Sequence, residues 1–144
     1  MTDTLTLYQI ADNNGIEVYS FPLSDNGSLC VMDGNEYYIG IDTELLQDTA
    51  QERVHLSHEL GHCVTGAFYN RYSPYDIRAR HEHTADRWAI KKLVPLHELK
   101  KAVRAGYREV WELAEYFAVT CEFMRKAFEY YRDNAHGGAQ SPVS

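Results

Sequence analysis

The sequence predicts an α+β fold: a small three-stranded antiparallel sheet followed by a mainly helical region. Three observations carry that expectation. Residues 16–41 hold short apolar and aromatic runs separated by Gly- and Asn-containing turn signals. After Asp42 the apolar residues recur every three or four positions instead of every two. Helix start and stop residues then punctuate the chain as far as Asn134.

In order, residues 4–12 read as a short helix ended by Asn13-Asn14-Gly15. Ile16 to Phe21 alternate apolar and polar residues and read as a strand. Asp25-Asn26-Gly27 is a turn signal, and Ser28 to Met32 a second strand. Asp33-Gly34-Asn35 is a hairpin turn in which Gly34 tolerates positive φ, leading into a third strand from Glu36 to Ile41. Thr49 followed by Glu52 fits a capping box, so a helix begins near Ala50 and stops at Gly66. Residues 67–77, with Ser73-Pro74, read as a loop. A second helix runs from about Ala79 to Leu93. Pro95 opens a third, with Leu96, Leu99 and Val103 on one face and Gly106 past its end. Val110, Leu113, Ala114 and Phe117 mark a fourth. Thr120 caps a fifth, which carries Phe123, Met124, Ala127 and Tyr131. These elements predict one domain over residues 1–133, with 1–42 mostly β and 43–133 helical. The Gly-, Ser- and Pro-rich residues 134–144 read as a flexible tail.

Composition narrows the function classes. The chain has 144 residues, of which 44% are hydrophobic, which suits a globular domain and excludes a disordered one. A formal net charge of −7 disfavours direct binding to nucleic acid or to an anionic membrane. Three cysteines, Cys30, Cys63 and Cys121, form no paired spacing, so no disulfide framework is expected. The start, Met1-Thr2-Asp3-Thr4, lacks a basic and apolar leader, and no apolar run approaches a membrane span. A cytoplasmic protein is the expectation.

The chemistry concentrates in His58-Glu59-Leu60-Gly61-His62. Four-residue spacing inside a helix puts both imidazoles on one face, with β-carbons about 5–6 Å apart. Two nitrogens can then meet one zinc ion, one Zn2+ per chain. Glu59 is tilted off the ligand axis, where it can take a proton from water. Two surface histidines on a solvated helix are the bland alternative. His55 and Glu59, also four apart, read as a surface contact. A catalytic site needs a third protein ligand, and Glu82 on the next helix is the candidate; His81, His83 and Asp76 are the alternatives. Asp86, one turn after Glu82, can accept the second ring N–H of a zinc-bound histidine. Ala85 and Ala89 would let that helix approach the first closely, and Gly61 suits the same purpose. Cys63 reads as a core residue, and Trp88 and Trp111 as core or docking residues. The Tyr130-Tyr131 pair is expected to close the helical layer.

Together, His58-Glu59-Leu60-Gly61-His62, Glu82-x-x-Ala85-Asp86-x-x-Ala89 and Leu93-Val94-Pro95 resemble the ImmA/IrrE family of zinc metallopeptidases. The Glu82-x-x-x-Asp86 part is similar to thermolysin-like gluzincins. Leu113-Ala114-x-x-Phe117-x-Val119-Thr120 resembles the family's C-terminal segment. The resemblance spans roughly residues 36–132 and implies a zincin-like fold. It implies zinc on His58, His62 and Glu82, and Glu59 as the catalytic base. It also implies a protein substrate, since characterised members cleave a partner helix-turn-helix repressor and are often encoded on phages or integrative elements.

Stabilisation of the oxyanion would fall to zinc, helped by a residue from the 69–83 stretch: Tyr72, Tyr75 and His83 are the candidates. The Glu36–Ile41 strand, just before the motif helix, is expected to be a sheet edge to which an extended substrate adds. The competing function is a non-catalytic, zinc-stabilised interaction module, but a purely structural zinc site needs no general base such as Glu59. A DNA-binding turn at Val119-Thr120 lacks a basic recognition helix.

Overall fold

The computed structural model describes residues 2–23, 26–46, 49–70 and 72–139, with side chains described to Asn134. Helix α1 (Thr4–Asn13) precedes strands β1 (Ile16–Ser20), β2 (Ser28–Asp33) and β3 (Glu36–Ile41). Helices α2 (Thr49–Thr65), α3 (Tyr75–Leu93), α4 (Leu96–Arg104), α5 (Val110–Phe117) and α6 (Cys121–Ala139) follow. The α+β class is as expected.

The sheet is mixed, not all-antiparallel. Its order is β1-β3-β2, with β1 parallel to β3 and β2 antiparallel to it. The reason lies in burial. Ile39, Gly40 and Ile41 are all buried, whereas β1 and β2 each bury only their first residue. The strand with the longest buried run takes the centre, and the chain from β1 passes it to reach the far edge. The Asp25-Asn26-Gly27 turn signal therefore marks a crossing, not a hairpin; Asp25 lies outside the described residues. Gly27 does adopt positive φ, at 84°. The β2–β3 hairpin is as expected, with Asp33 paired to Glu36 and Gly34 at φ 64°. Because β3 is central, the expected substrate edge at Glu36–Ile41 is corrected: the edges are β1 and β2.

Two boundaries also move. α3 starts at Tyr75, with Pro74 in the flanking extended conformation, so Ser73-Pro74 opens a helix inside the stretch expected to be loop. Its first turn, Tyr75-Asp76-Ile77-Arg78, has too few apolar residues to announce itself. α6 continues through Ala139, past the expected tail boundary at Asn134. Residues 140–144 of that expected tail lie outside the described residues.

One cluster of buried side chains runs from Leu7 through Ile39, Leu60, Leu93 and Phe117 to Ala127. α2 and α3 cross closely at Gly61. A β-carbon there would sit 2.6 Å from the Ala85 carbonyl oxygen, which is why only glycine fits. Arg53, buried on α2, donates from Nε to the Ala118 carbonyl at 2.9 Å and from Nη2 to that of Phe117 at 3.3 Å. It thereby satisfies the open end of α5, where Ala118 is left-handed at φ 54°. The Thr120 hydroxyl accepts from the Phe123 N–H at 3.1 Å and caps α6 as expected. Tyr131 donates to the Val94 carbonyl at 2.7 Å, closing the helical layer at the end of α3. Among the described residues, no helix is long and apolar enough to cross a membrane.

Candidate metal centre

α2 presents His58 and His62 to α3, and α3 returns Glu82 and Asp86. His58 Nε2 lies 2.9 Å from Glu82 Oε1, and His62 Nε2 3.1 Å from Glu82 Oε2. The two Nε2 atoms are 3.2 Å apart. Among the described residues, His58, His62 and Glu82 are the group whose ligand atoms converge, all within 4.8 Å of one another. His81, His83 and Asp76 are not part of it. His81 instead stacks on Tyr69, with centroids 6.3 Å apart, and exposed His83 lies 6.4 Å from the Tyr130 ring.

The other ring nitrogens are committed to acceptors. His58 Nδ1 faces Asp86 Oδ1 at 2.9 Å, and His62 Nδ1 faces the Ala67 carbonyl at 2.6 Å. Each Nδ1 is therefore the hydrogen-bearing nitrogen whenever the ring is neutral, and a neutral ring turns an Nε2 lone pair inward. A cation that displaces the Nε2 protons would meet two lone pairs and a carboxylate. Such a donor set fits a cation, and two imidazoles with one carboxylate suit zinc.

In the bare cluster protons occupy that place. Burial works against a charged His58, but hydrogen bonds to Asp86 and Glu82 outweigh it and hold its pKa up at about 10. Hydrogen bonds from His58 and His62 hold the Glu82 carboxyl well below the usual range. Asp86 is pushed up by burial, yet the contact with His58 and the Lys126 ammonium, 3.3 Å away, bring it down. The cluster draws positive charge from whatever is at hand.

A neighbouring face of α2 meets β2. The Ser28 hydroxyl donates to Glu59 Oε2 at 2.8 Å and contacts His55 Nδ1 at 2.8 Å. Because that hydroxyl has one hydrogen, His55 is the donor in the second contact. His55 is half-buried in this network, which corrects its reading as a surface contact. Glu59 is only 8% exposed, and burial pushes its carboxyl above the ordinary value, opposed by His58 and by the Ser28 hydrogen bond. A carboxyl raised toward neutrality exchanges protons more readily near pH 7. Cys63 is buried, as expected, with its sulfur 3.3 Å from that of Cys30.

His55, His58, Glu59, His62, Glu82 and Asp86 share a cleft of about 530 Å³, whose lining includes Ser28, Leu29 and Cys30 of β2 as well as Phe68, Tyr69 and Lys126. Its size is that of a small-ligand or peptide-segment site. Tyr72 and Tyr75 are 80% and 77% exposed, and neither they nor His83 line the cleft. Tyr69 does, and its hydroxyl donates to Glu82 Oε2 at 2.6 Å. The sequence reading passed over Tyr69, Ser28 and Lys126. Tyr69 at least lay in the segment singled out for an oxyanion donor; Ser28 and Lys126 carried no signal.

A helix pair with converging imidazoles and a carboxylate, and a buried glutamate beside them, defines a candidate metal-dependent hydrolase centre. The chain matches the peptidase family M78, described as the IrrE N-terminal-like domain, over residues 11–129, and it belongs to that family. No curated protein and no solved structure matches it.

Proposed function

We propose that this protein is a zinc-dependent endopeptidase that cuts a partner helix-turn-helix repressor at one site. The observation that carries the proposal is the convergence of His58 Nε2, His62 Nε2 and the Glu82 carboxylate, with Glu59 alongside. His58, His62 and Glu82 would hold the zinc, one per chain, and Asp86 and the Ala67 carbonyl would keep both imidazoles in the ligating tautomer. When bound there, zinc supplies Lewis acidity, which acidifies water and polarises a carbonyl oxygen.

Glu59 takes the proton from the attacking water and passes it to the leaving amine. Ser28 engages its Oε2, so Oε1 is the oxygen that handles the proton. Tyr69 lines the cleft, unlike Tyr72, Tyr75 or His83, and its hydroxyl would serve a developing oxyanion on turning from Glu82 Oε2. The substrate edge is β2. Among the described residues it pairs with β3 alone, and its first three residues border the cleft. An extended segment adding to it would lie across the metal centre. Ser28, Glu59 and the histidines then meet one peptide bond from the same side.

The repressor as substrate rests on family membership, on the small cleft and on exposed aromatics elsewhere. Tyr107, Trp111 and Tyr116 form a surface patch around α5, with Trp111 58% exposed. Docking there would present one segment to the cleft. The test incubates the zinc-loaded protein with any helix-turn-helix repressor encoded beside it and, separately, with casein. One discrete cut in the repressor, absent with Glu59→Gln, is the expected result. Rapid casein digestion with an intact repressor overturns it.

A further inference from the structure

Cys30 and Cys63 sit on the same seam as Ser28 and Glu59, and metal-dependent hydrolysis gives neither sulfur a task. Both are free thiols, and the third cysteine, Cys121, is exposed on α6. Cys30 lies on β2, half-buried, with its side chain bordering the cleft. Cys63 is buried on α2, one residue after His62. Their sulfurs are 3.3 Å apart, close enough for a thiol–thiol hydrogen bond. A disulfide needs about 2.05 Å between sulfurs. The approach still required is about 1.2 Å, small for an edge strand held by one neighbour.

We propose that Cys30 and Cys63 form a reversible disulfide site, closed by a peroxide entering the cleft, that fastens β2 to α2. The peroxide meets Cys30 first, because Cys30 borders the cleft and Cys63 does not. The Cys30 sulfur attacks one peroxide oxygen, the O–O bond breaks, one water leaves and Cys30 becomes a sulfenic acid. The Cys63 sulfur then attacks the Cys30 sulfur, the S–S bond forms, the S–O bond breaks and a second water leaves. Each thiol has lost one hydrogen, and the peroxide has been reduced to two waters. A dithiol reductant reverses the change by exchange. The contact with Cys63, and then burial, push the Cys30 thiol up. Cys30 therefore rests protonated and reacts slowly, which suits a response to sustained oxidant rather than a standing cross-link.

The bond would join the strand that borders the cleft to the helix that carries the two histidines and Glu59. Its ends are 33 positions apart in sequence, so it also closes a sizeable loop of the unfolded chain. The effects are read without any substrate, so they stand or fall independently of peptidase activity. The full chain, carrying Cys121→Ser to remove the exposed thiol, is treated with hydrogen peroxide, alkylated, digested and mapped by mass. The expected product has lost two hydrogens and joins the Cys30 and Cys63 peptides within one chain. Dithiothreitol restores both thiols. The oxidised form should melt about 5–10 °C higher, and the amides of residues 28–33 should exchange more slowly. Two alkylatable thiols after treatment, added oxygen without a link, or a link only between chains would overturn the site. An intramolecular link that changes neither melting nor exchange would overturn the fastening of β2.

Discussion

Helix α2 carries two stripes at four-residue spacing, and they were unequally readable. His58 and His62 face α3; His55, Glu59 and Cys63 face β2. Both stripes are equally plain in the sequence. They differ in what their partners look like. The α3-facing stripe meets Glu82 and Asp86, which carry a four-residue spacing of their own on a helix with small residues between. Two matching periodic patterns predict each other. The β2-facing stripe meets Ser28 and Cys30, a serine and a cysteine in a short strand, and nothing about either announces a partner on a distant helix. A helix face is legible when the facing element repeats with the same period, and silent when the facing element is a strand end.

Separating the two stripes by mutation tests that comparison, and the largest effect should come from the β2-facing one. Glu59→Gln keeps size and removes the proposed base. We expect proteolysis to fall by about 100- to 10,000-fold with metal content unchanged. Steady-state cleavage beside elemental analysis checks it; cleavage at the wild-type rate would return Glu59 to a structural role and leave the two stripes with no division of labour.

The α3-facing stripe should answer in the opposite currency. Gly61→Ala puts a methyl group 2.6 Å from the Ala85 carbonyl oxygen, and backbone cannot step aside cheaply. The expected cost is about 1–3 kcal/mol of stability, read by denaturant melts, together with weaker zinc binding as Glu82 is pushed from the histidines. Unchanged stability would mean that the helices do not cross this tightly. Asp86→Ala leaves the crossing intact but frees the His58 ring, and about 10- to 100-fold weaker zinc binding is expected. A competing chelator measures it, and an unaltered affinity would reduce Asp86 to a partner of Lys126.

The same contrast explains how far the sequence carried the fold. Helices with local start and stop signals, such as α4 between Pro95 and Gly106 or α6 after Thr120, were legible within a few residues. The strand order was not. It depends on which strand buries most, and the long β1–β2 connection permits either arrangement. Arg53 was equally opaque, since its role is to satisfy carbonyls 64 and 65 positions away. At the site, spacing and resemblance singled out His58, Glu59, His62, Glu82 and Asp86, which the structure brings to one cleft. A loop offers no period from which to tell Tyr69, which lines the cleft, from Tyr72 or Tyr75.

Those three tyrosines give the smallest and most discriminating test. Each stands within a seven-residue stretch, and each was reachable by the same argument for an oxyanion donor. The Tyr69 hydroxyl donates to Glu82 Oε2 at 2.6 Å, and that contact with burial pushes its own pKa up to about 12. A neutral donor to a charged acceptor at a half-open site is worth on the order of 1 kcal/mol, so Tyr69→Phe should weaken zinc binding about 3- to 10-fold. Tyr72→Phe and Tyr75→Phe, at positions 80% and 77% exposed, should leave it within about twofold. A chelator titration of the three variants side by side removes differences in method. Equal affinities for all three would mean that Glu82 is held without Tyr69. A larger loss at Tyr72 or Tyr75 would mean that the 69–83 segment folds over the cleft in a way its exposed side chains do not indicate.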